Sequence, residues 1–109
     1  MAVNDDDVFR ALADPSRRRL LDGLLAQGGQ TLGGLTLGLA MTRQAVAKHL
    51  GILERANLVS SRRQGREKLH FINPVPINAI AERWIGKFDQ PRLAALSALK
   101  HTLEGDSHD

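Results

Sequence analysis

The 109-residue chain contains no cysteine. This absence excludes disulfide bonds, thiolate zinc sites and cysteine nucleophiles. No apolar run approaches the roughly 18 residues that a membrane-spanning helix needs. The N-terminal stretch MAVNDDDVFR is acidic where a secretory signal is basic and then apolar. The sequence therefore predicts a cytoplasmic protein without a membrane partner.

Features of catalytic sites are also scarce. The chain has no glycine-rich phosphate loop and no evident pair of catalytic carboxylates, and its four histidines lack obvious catalytic partners. We therefore predict neither an enzyme nor a cofactor. With 42% hydrophobic and 25% charged residues, the composition is that of one small globular domain over residues 1–109.

The net charge of +3 is unevenly distributed. Residues 42–70 contain seven Lys and Arg and two Glu, which gives this segment a charge of +5, whereas the rest of the chain carries −2. A basic segment on a nearly neutral body favours a surface that binds a polyanion, with nucleic acid ahead of membrane. A merely solvated basic surface is the alternative that composition leaves open.

Capping signals divide the first half of the chain into helices. Asp14 followed by Pro15 is typical of a helix start, and the helix PSRRRLLDGLLAQ should end at two glycines. Its predicted buried stripe consists of Leu20, Leu21, Leu24 and Leu25. Its three consecutive arginines, residues 17–19, either cover this stripe with their aliphatic stems or approach DNA. Thr31 and Thr42 can cap two further helices, which predicts a helix-turn-helix over about residues 31–56.

The second of these helices, within TRQAVAKHLGILERANLV, has an unusual outer face. Val46, Leu50 and Leu53 lie in its apolar sector. The opposite face combines long polar side chains with two very small residues: Arg43, Gln44, Lys48 and Arg55, with Ala47 and Gly51. Glycine costs a helix about 1 kcal/mol relative to alanine, and a solvated face has no reason to retain it. Small residues would let the helix approach base edges in a major groove, so this face is predicted to read DNA.

Residues 58–72 are predicted to form a β-hairpin directly after this helix. Arginines surround a turn expected at Gln64-Gly65. Leu69 and Phe71 alternate with Lys68 and His70, which predicts one buried face and one wet face. A hairpin in this position is a wing.

The C-terminal part, residues 77–104, is predicted to form amphipathic helices. Ile80, Trp84 and Ile85 belong to an apolar stripe that continues through Phe88, and a second stripe of leucines follows. A chain this short cannot easily bury these stripes alone, which favours a dimer interface. A ligand pocket lined by the same aromatic residues is the alternative.

The combined pattern resembles a known family. ALADPSRRRLLDGLL, with TLGGLTLGLAMTRQAVAKHLGILERANLVSSRRQGREKLHFINP, is similar to the ArsR-type winged-helix repressors of bacteria over about residues 8–103. NPVPINAIAERWIGKFDQPRLAALSALKHTLE further resembles cysteine-free members. The resemblance implies a mainly α-helical fold with a small β-hairpin, a winged helix-turn-helix of about five to six helices that dimerises through its terminal helices. It also implies repression, often of the protein's own operon, by a homodimer bound to a pseudo-palindromic double-stranded operator.

The resemblance also assigns residues to these roles. The positions that match DNA-contacting residues are Thr42, Arg43, Gln44, Ala47, Lys48, His49, Arg62, Arg63 and Arg66. The positions expected at the dimer interface are Phe9, Leu12, Ile80, Trp84, Ile85, Phe88, Leu96, Leu99 and Leu103. Two assignments have alternatives from the residues themselves, because Thr42 can simply cap its helix and His49 can be a packed structural histidine.

Metal sensing, common in this family, is not predicted for this chain. The third helix lacks the thiolate ligands, and the terminal helix lacks the paired Asp and His ligands of other members. His101, Glu104 and His108 share a spacing, but Gly105 should end the helix between them. The other functional interpretations are a sensor with an unidentified metal or small-molecule inducer, and a winged-helix module that binds an acidic protein.

Overall fold

The computed structural model describes residues 4–86 and 97–100. Within these ranges it contains five named helices and one antiparallel pair of strands. In chain order the elements are α1 (Asp5–Ala13), α2 (Pro15–Ala26), α3 (Leu32–Leu37), α4 (Arg43–Arg55), β1 (Val59–Gln64), β2 (Glu67–Ile72) and α5 (Val75–Trp84). Residues 97–100 are also helical. The predicted winged helix-turn-helix with a small hairpin is confirmed.

Side-chain caps begin the first two helices, and the cap of α2 lies at the predicted residue. Asn4 caps α1 by accepting from the Asp6 amide at 2.8 Å. Asp14 caps α2, since its Oδ1 accepts from the amides of Ser16 at 2.8 Å and Arg17 at 3.1 Å. The hydrogen bond from the Arg17 amide is the largest influence that holds the pKa of Asp14 below its ordinary value. Burial opposes it, and the Ser16 amide and the charges of Arg17 and His49 reinforce it.

Threonine caps determine where the helix-turn-helix begins. Thr31 Oγ1 accepts from the Gly34 amide at 3.0 Å and begins α3. Thr42 Oγ1 accepts from the Ala45 amide at 3.1 Å and begins α4. Each such cap contributes about 1 kcal/mol to helix stability. The extended backbone of Thr42 also separates α4 from the preceding turn.

The wing is a hairpin in which Val59 pairs with Ile72 and Gln64 pairs with Glu67. Its two turn residues are therefore Gly65 and Arg66, one position later than the predicted turn. Gly65 has a φ of 64°, a conformation that suits glycine and few other residues. Arg66 consequently lies at the tip itself.

Two predictions about burial are wrong. His70 was expected on the wet face of the hairpin but is only 4% exposed, whereas Leu69 and Phe71 are half-buried. The cause is an additional backbone pairing between His70 and Gln30, which covers this end of β2. Leu25 was expected in the buried stripe of α2 but is 72% exposed, because the other elements cover only the side that carries Leu20, Leu21 and Leu24.

The described residues divide into two compact units after Asn78. In the first unit, α2 contacts α1, α4 and β2, and α4 also contacts α1, α3 and β1. The largest fully buried side chains form the core of this unit: Val8, Leu20, Leu24, Val46, Leu53 and Leu58. Burying a side chain of this size contributes about 1.5–3 kcal/mol. This core fixes the inner face of α4 and leaves its outer face exposed.

The second unit contains residues 79–84 of α5, and most of these side chains are exposed. Arg83 lies over the Trp84 ring, 5.1 Å from the ring centroid. Among all the described residues, no helix is long and apolar enough to cross a membrane.

Candidate nucleic-acid interface

The exposed face of α4 carries the residues predicted to read DNA. Arg43, Gln44, Ala47 and Lys48 are all exposed, whereas Val46, Leu50 and Leu53 on the other side are buried. The four exposed residues lie in the first half of the helix. A recognition helix presents this part to base edges when it enters a major groove. Thr42, at the start of the helix, is exposed and serves as its cap.

The two small residues of α4 have different surroundings. Ala47 is exposed, and its methyl group is of a size to contact a thymine methyl. Gly51 is half-buried, and the guanidinium of Arg55 folds back beside it. A Cβ built at Gly51 would lie 3.4 Å from Arg55 Nη1, an ordinary contact distance. Arg55 therefore packs beside Gly51 from one turn later, a contact that sequence reasoning missed, and a methyl group at position 51 would fit without displacing it.

The three arginines of the wing occupy two different environments. Arg62 lies over the ring of Phe71, with its guanidinium carbon 5.1 Å from the ring centroid. This cation–π contact holds Arg62 against the hairpin. Arg63 and Arg66 instead line a cleft between the wing and the helix-turn-helix. Of the three, these two are therefore placed to act together with α4.

That cleft has a volume of about 580 Å³. It is bounded by the start of α3, the outer face of α4 and the wing, and its lining residues are Thr31, Leu32, Gly33, Arg43, Ala47, Leu50, Gly51, Glu54, Arg63, Arg66, Glu67, Lys68 and His70. Four cations and two carboxylates share this lining. The excess of positive charge suits a phosphate backbone, because Lys and Arg bind phosphates in nucleic-acid complexes.

His49 lies beside Arg17 of α2. Its Nδ1 is 3.5 Å from Arg17 Nη1, and the ring is half-buried. This contact supports the packed alternative for His49, although a role in DNA contact stays a prediction. Arg17 itself is mostly buried, with 14% of its side chain exposed. Its Nε donates to the Ala11 carbonyl at 2.8 Å and its Nη2 to the Arg10 carbonyl at 2.9 Å. The Arg17 side chain therefore provides hydrogen bonds to carbonyl groups in the last turn of α1.

A cluster of polar residues at the base of the wing was missed by sequence reasoning. Glu54 Oε1 lies 3.5 Å from both Lys68 Nζ and His70 Nε2. His70 Nδ1 lies 2.9 Å from the Gln30 carbonyl oxygen. The sequence contained only a weak signal, namely a Glu at the edge of the outer face of α4. The cluster connects the last turn of α4 to β2 and to the segment after α2.

Six of the nine residues predicted at the dimer interface lie within the described part of the chain. Phe9, Trp84, Ile85 and Leu99 are exposed apolar side chains, and Leu12 and Ile80 are half-buried. Phe88, Leu96 and Leu103 lie outside the described residues. In each unit, therefore, apolar surface is accessible to a partner.

Comparisons with known proteins agree with this geometry. Residues 12–62 match the model of a helix-turn-helix domain. The chain is 41% identical over 91 residues to the uncharacterised HTH-type transcriptional regulator YuzN of Bacillus subtilis, covering 78% of this chain and 99% of that protein. It is 34% identical over 68 residues to the transcriptional repressor SdpR of the same organism, covering 62% and 74% of the two chains.

Solved structures give the same result. An ArsR-like transcriptional regulator from Rhodococcus sp. RHA1 superposes with a TM-score of 0.69 at 33% sequence identity. The match covers 89% of this chain and 90% of that chain. The likeness therefore includes nearly all of both chains.

Proposed function

Because the chain belongs to the ArsR-like helix-turn-helix transcriptional regulators, we propose that it is a cytoplasmic homodimer that represses its own operon. In this proposal each subunit places α4 in a major groove, and two-fold symmetry selects a pseudo-palindromic operator. Repression is supported by the similarity to a relative named as a transcriptional repressor.

The observation that carries the proposal is the outer face of α4. The first half of the helix exposes Arg43, Gln44 and Lys48 around the small side chain of Ala47. The inner face of the same helix is buried in the core. Gln44 can pair bidentately with adenine, and Arg43 or Lys48 can reach guanine or phosphate. We assign sequence reading to this face.

The wing supplies contacts to the DNA backbone in this proposal. Arg63 and Arg66 line the cleft that also contains Arg43. Arg62, stacked on Phe71, adds a cation on the hairpin. These contacts contribute affinity that depends little on base sequence.

Footprinting of the DNA immediately upstream of the protein's own gene tests the proposal. We expect protection of two half-sites about one helical turn apart, or a multiple of it. Gln44→Ala should lose roughly 1–3 kcal/mol on this site and much less on scrambled DNA. Gln27→Ala, an exposed glutamine after α2, is the matched control and should bind like the wild type.

Two outcomes would contradict parts of the proposal. Equal losses on both DNAs for Gln44→Ala would make this residue a backbone contact. An absence of any protected site, together with retention of an acidic protein by the same basic face, would favour the interaction-module alternative.

A further inference from the structure

The wing is anchored at its base through one buried residue. The His70 amide donates to the Gln30 carbonyl at 2.9 Å, and the Gly29 amide donates to the His70 carbonyl at 2.8 Å. His70 is the sole buried polar side chain among residues 4–86 and 97–100. The strand positions from Ser60 to Lys68 are all exposed. The orientation of the exposed tip therefore depends on this base.

The hydrogen bonds of the His70 ring determine what its second nitrogen can do. Nδ1 lies 2.9 Å from the Gln30 carbonyl oxygen, which can only accept, so Nδ1 carries the hydrogen. Nε2 then faces Glu54 Oε1 at 3.5 Å. In the neutral ring, Nε2 presents a lone pair to a carboxylate. In the imidazolium, it presents a proton, and the same contact becomes an ion pair.

Glu54 also holds the wing through a lysine of the same strand. Lys68 Nζ lies 3.5 Å from the same Oε1 atom. Glu54 belongs to the last turn of α4, and both of its partners belong to β2. The carboxylate is therefore a direct link between the helix assigned to base reading and the hairpin assigned to backbone contact.

We propose that Glu54 is a positioning residue that sets the wing against α4 through Lys68 and protonated His70, so that DNA affinity rises as the pH falls. This inference rests on the proposed DNA-binding function. When Glu54 is paired with both Lys68 and His70, Arg63 and Arg66 face the cleft beside Arg43. When His70 is neutral, its ion pair with Glu54 is lost and only the pair with Lys68 remains. Imidazole is the side chain that changes charge between about pH 5 and 8.

The charged groups around His70 are consistent with a DNA affinity that rises as the pH falls. Glu54 of α4 and Lys68 of β2 face it, and Arg43, Arg63, Arg66 and Glu67 line the same cleft. In the segment between α2 and α3 the ring meets the backbone of Gln30, and α3 has no titratable residue. Glu54 and His70 are therefore the acid and base whose contact can change.

Binding of a labelled scrambled duplex of about 30 base pairs, enough for successive major grooves, tests the proposal at constant ionic strength. Between about pH 6 and pH 8, we expect the wild-type affinity to fall by about fivefold to tenfold, within the usual range of coupling between sites. His70→Gln should remove this slope, and the isosteric Glu54→Gln should reduce it strongly.

Two matched variants identify the origin of the slope. Lys68→Gln removes a cation from the same carboxylate but leaves the contact between Glu54 and His70 in place, so it should lower affinity and retain the slope. His49→Gln measures the share of the slope that the other histidine of the candidate binding surface contributes, and most of the slope should remain in this variant. Slopes in His70→Gln and Glu54→Gln equal to that of the wild type would overturn the proposal.

A second measurement examines the wing without DNA. Because the chain has no cysteine, spin labels can be placed at Gln64→Cys in the wing and Asp22→Cys on α2. We expect a narrow distance distribution at acidic pH that broadens at alkaline pH and in Glu54→Gln. A distribution unaffected by either change would overturn the positioning role. If the wild type bound no duplex at any pH, the proposed function would fail, and this measurement would still decide whether Glu54 positions the wing.

Discussion

Arg17 Nη1 on α2 lies 3.5 Å from His49 Nδ1 on α4, while the same guanidinium donates to two carbonyl groups at the end of α1. Since arginine can only donate, His49 Nδ1 acts as the acceptor. One side chain thereby connects the first helix to the helix assigned to base reading. Arg18 adds a further bond to this end of α1, from Nη1 to the Leu12 carbonyl at 2.8 Å.

Arg17→Met should therefore destabilise the fold. Hydrogen bonds to charged groups contribute about 1.5–3 kcal/mol, and we expect a loss of about 2 kcal/mol in the free energy of unfolding. Denaturant titration measures this loss. Arg19→Met, an exposed arginine on the same helix, is the matched control and should change stability by less than about 0.5 kcal/mol. Equal effects of the two substitutions would exclude a specific role for Arg17.

The cap at Asp14 predicts a pH dependence of stability. Because the pKa of Asp14 is lowered in the folded state, chiefly by the Arg17 amide, its contribution is complete above the ordinary carboxyl range. The contribution is lost as the pH falls through that range toward the folded pKa. Asp14→Asn should therefore lower the melting temperature most near neutral pH, and the difference from the wild type should shrink in acid.

Thermal unfolding between about pH 3 and pH 7, on both sides of the carboxyl range, measures this effect. Asp22→Asn is the matched control, since Asp22 is an exposed carboxylate on the same helix. A difference between Asp14→Asn and the wild type that stayed constant with pH would show that the charge of the cap is irrelevant.

Arg66 at the wing tip should act on affinity without regard to sequence. Arg66→Ala is expected to weaken operator and scrambled DNA alike and to flatten the salt dependence by about one phosphate equivalent per subunit. Titrations at several salt concentrations measure the slope. Arg19→Ala is the comparison variant, because the sequence left open that the arginines of α2 also approach the DNA backbone. An unchanged slope for Arg66→Ala would remove the wing tip from the binding surface.

Dimer formation can be tested through the exposed face of α5. Trp84 is 54% exposed in this helix and is assigned to the interface, so the wild type should scatter light as a dimer at micromolar concentration, and Trp84→Asp should yield monomer. Leu37→Asp is the matched control, because Leu37 is 90% exposed on α3 and lies outside the proposed interface. A monomeric wild type would disprove both the dimer and its two half-sites.

Divalent metal should have little influence on DNA binding. The expectation follows from the absence of cysteine and from the lack of paired ligands in the terminal helix sequence. Stoichiometric zinc, nickel or cobalt should change affinity for the operator by less than about tenfold, which corresponds to about 1.4 kcal/mol of coupling. A larger effect would contradict this prediction, and His101 and His108, which lie outside the described residues, would be the first to substitute.

Local chemistry alone determined where most of the helices of this protein begin. Asp14, Thr31 and Thr42 cap their helices through amides two or three residues away, so the pattern is readable from neighbouring letters. The spacing of Val46, Leu50 and Leu53 likewise identified the inner face of α4, because helical periodicity is a local property. The candidate site could then be assigned to the outer face of α4, since this is the side of the helix opposite the buried residues.

Only the tertiary structure decided the contacts between distant segments. His70 is buried because it pairs with Gln30, 40 positions earlier, which the alternation of its own strand could not indicate. Arg17 meets His49 across 32 positions, and Glu54 meets β2 only after the hairpin folds back on α4. Leu25 stays exposed because no neighbouring element covers its side of α2. The exposure of a residue is set by what packs above it, and local periodicity contains no information about that partner.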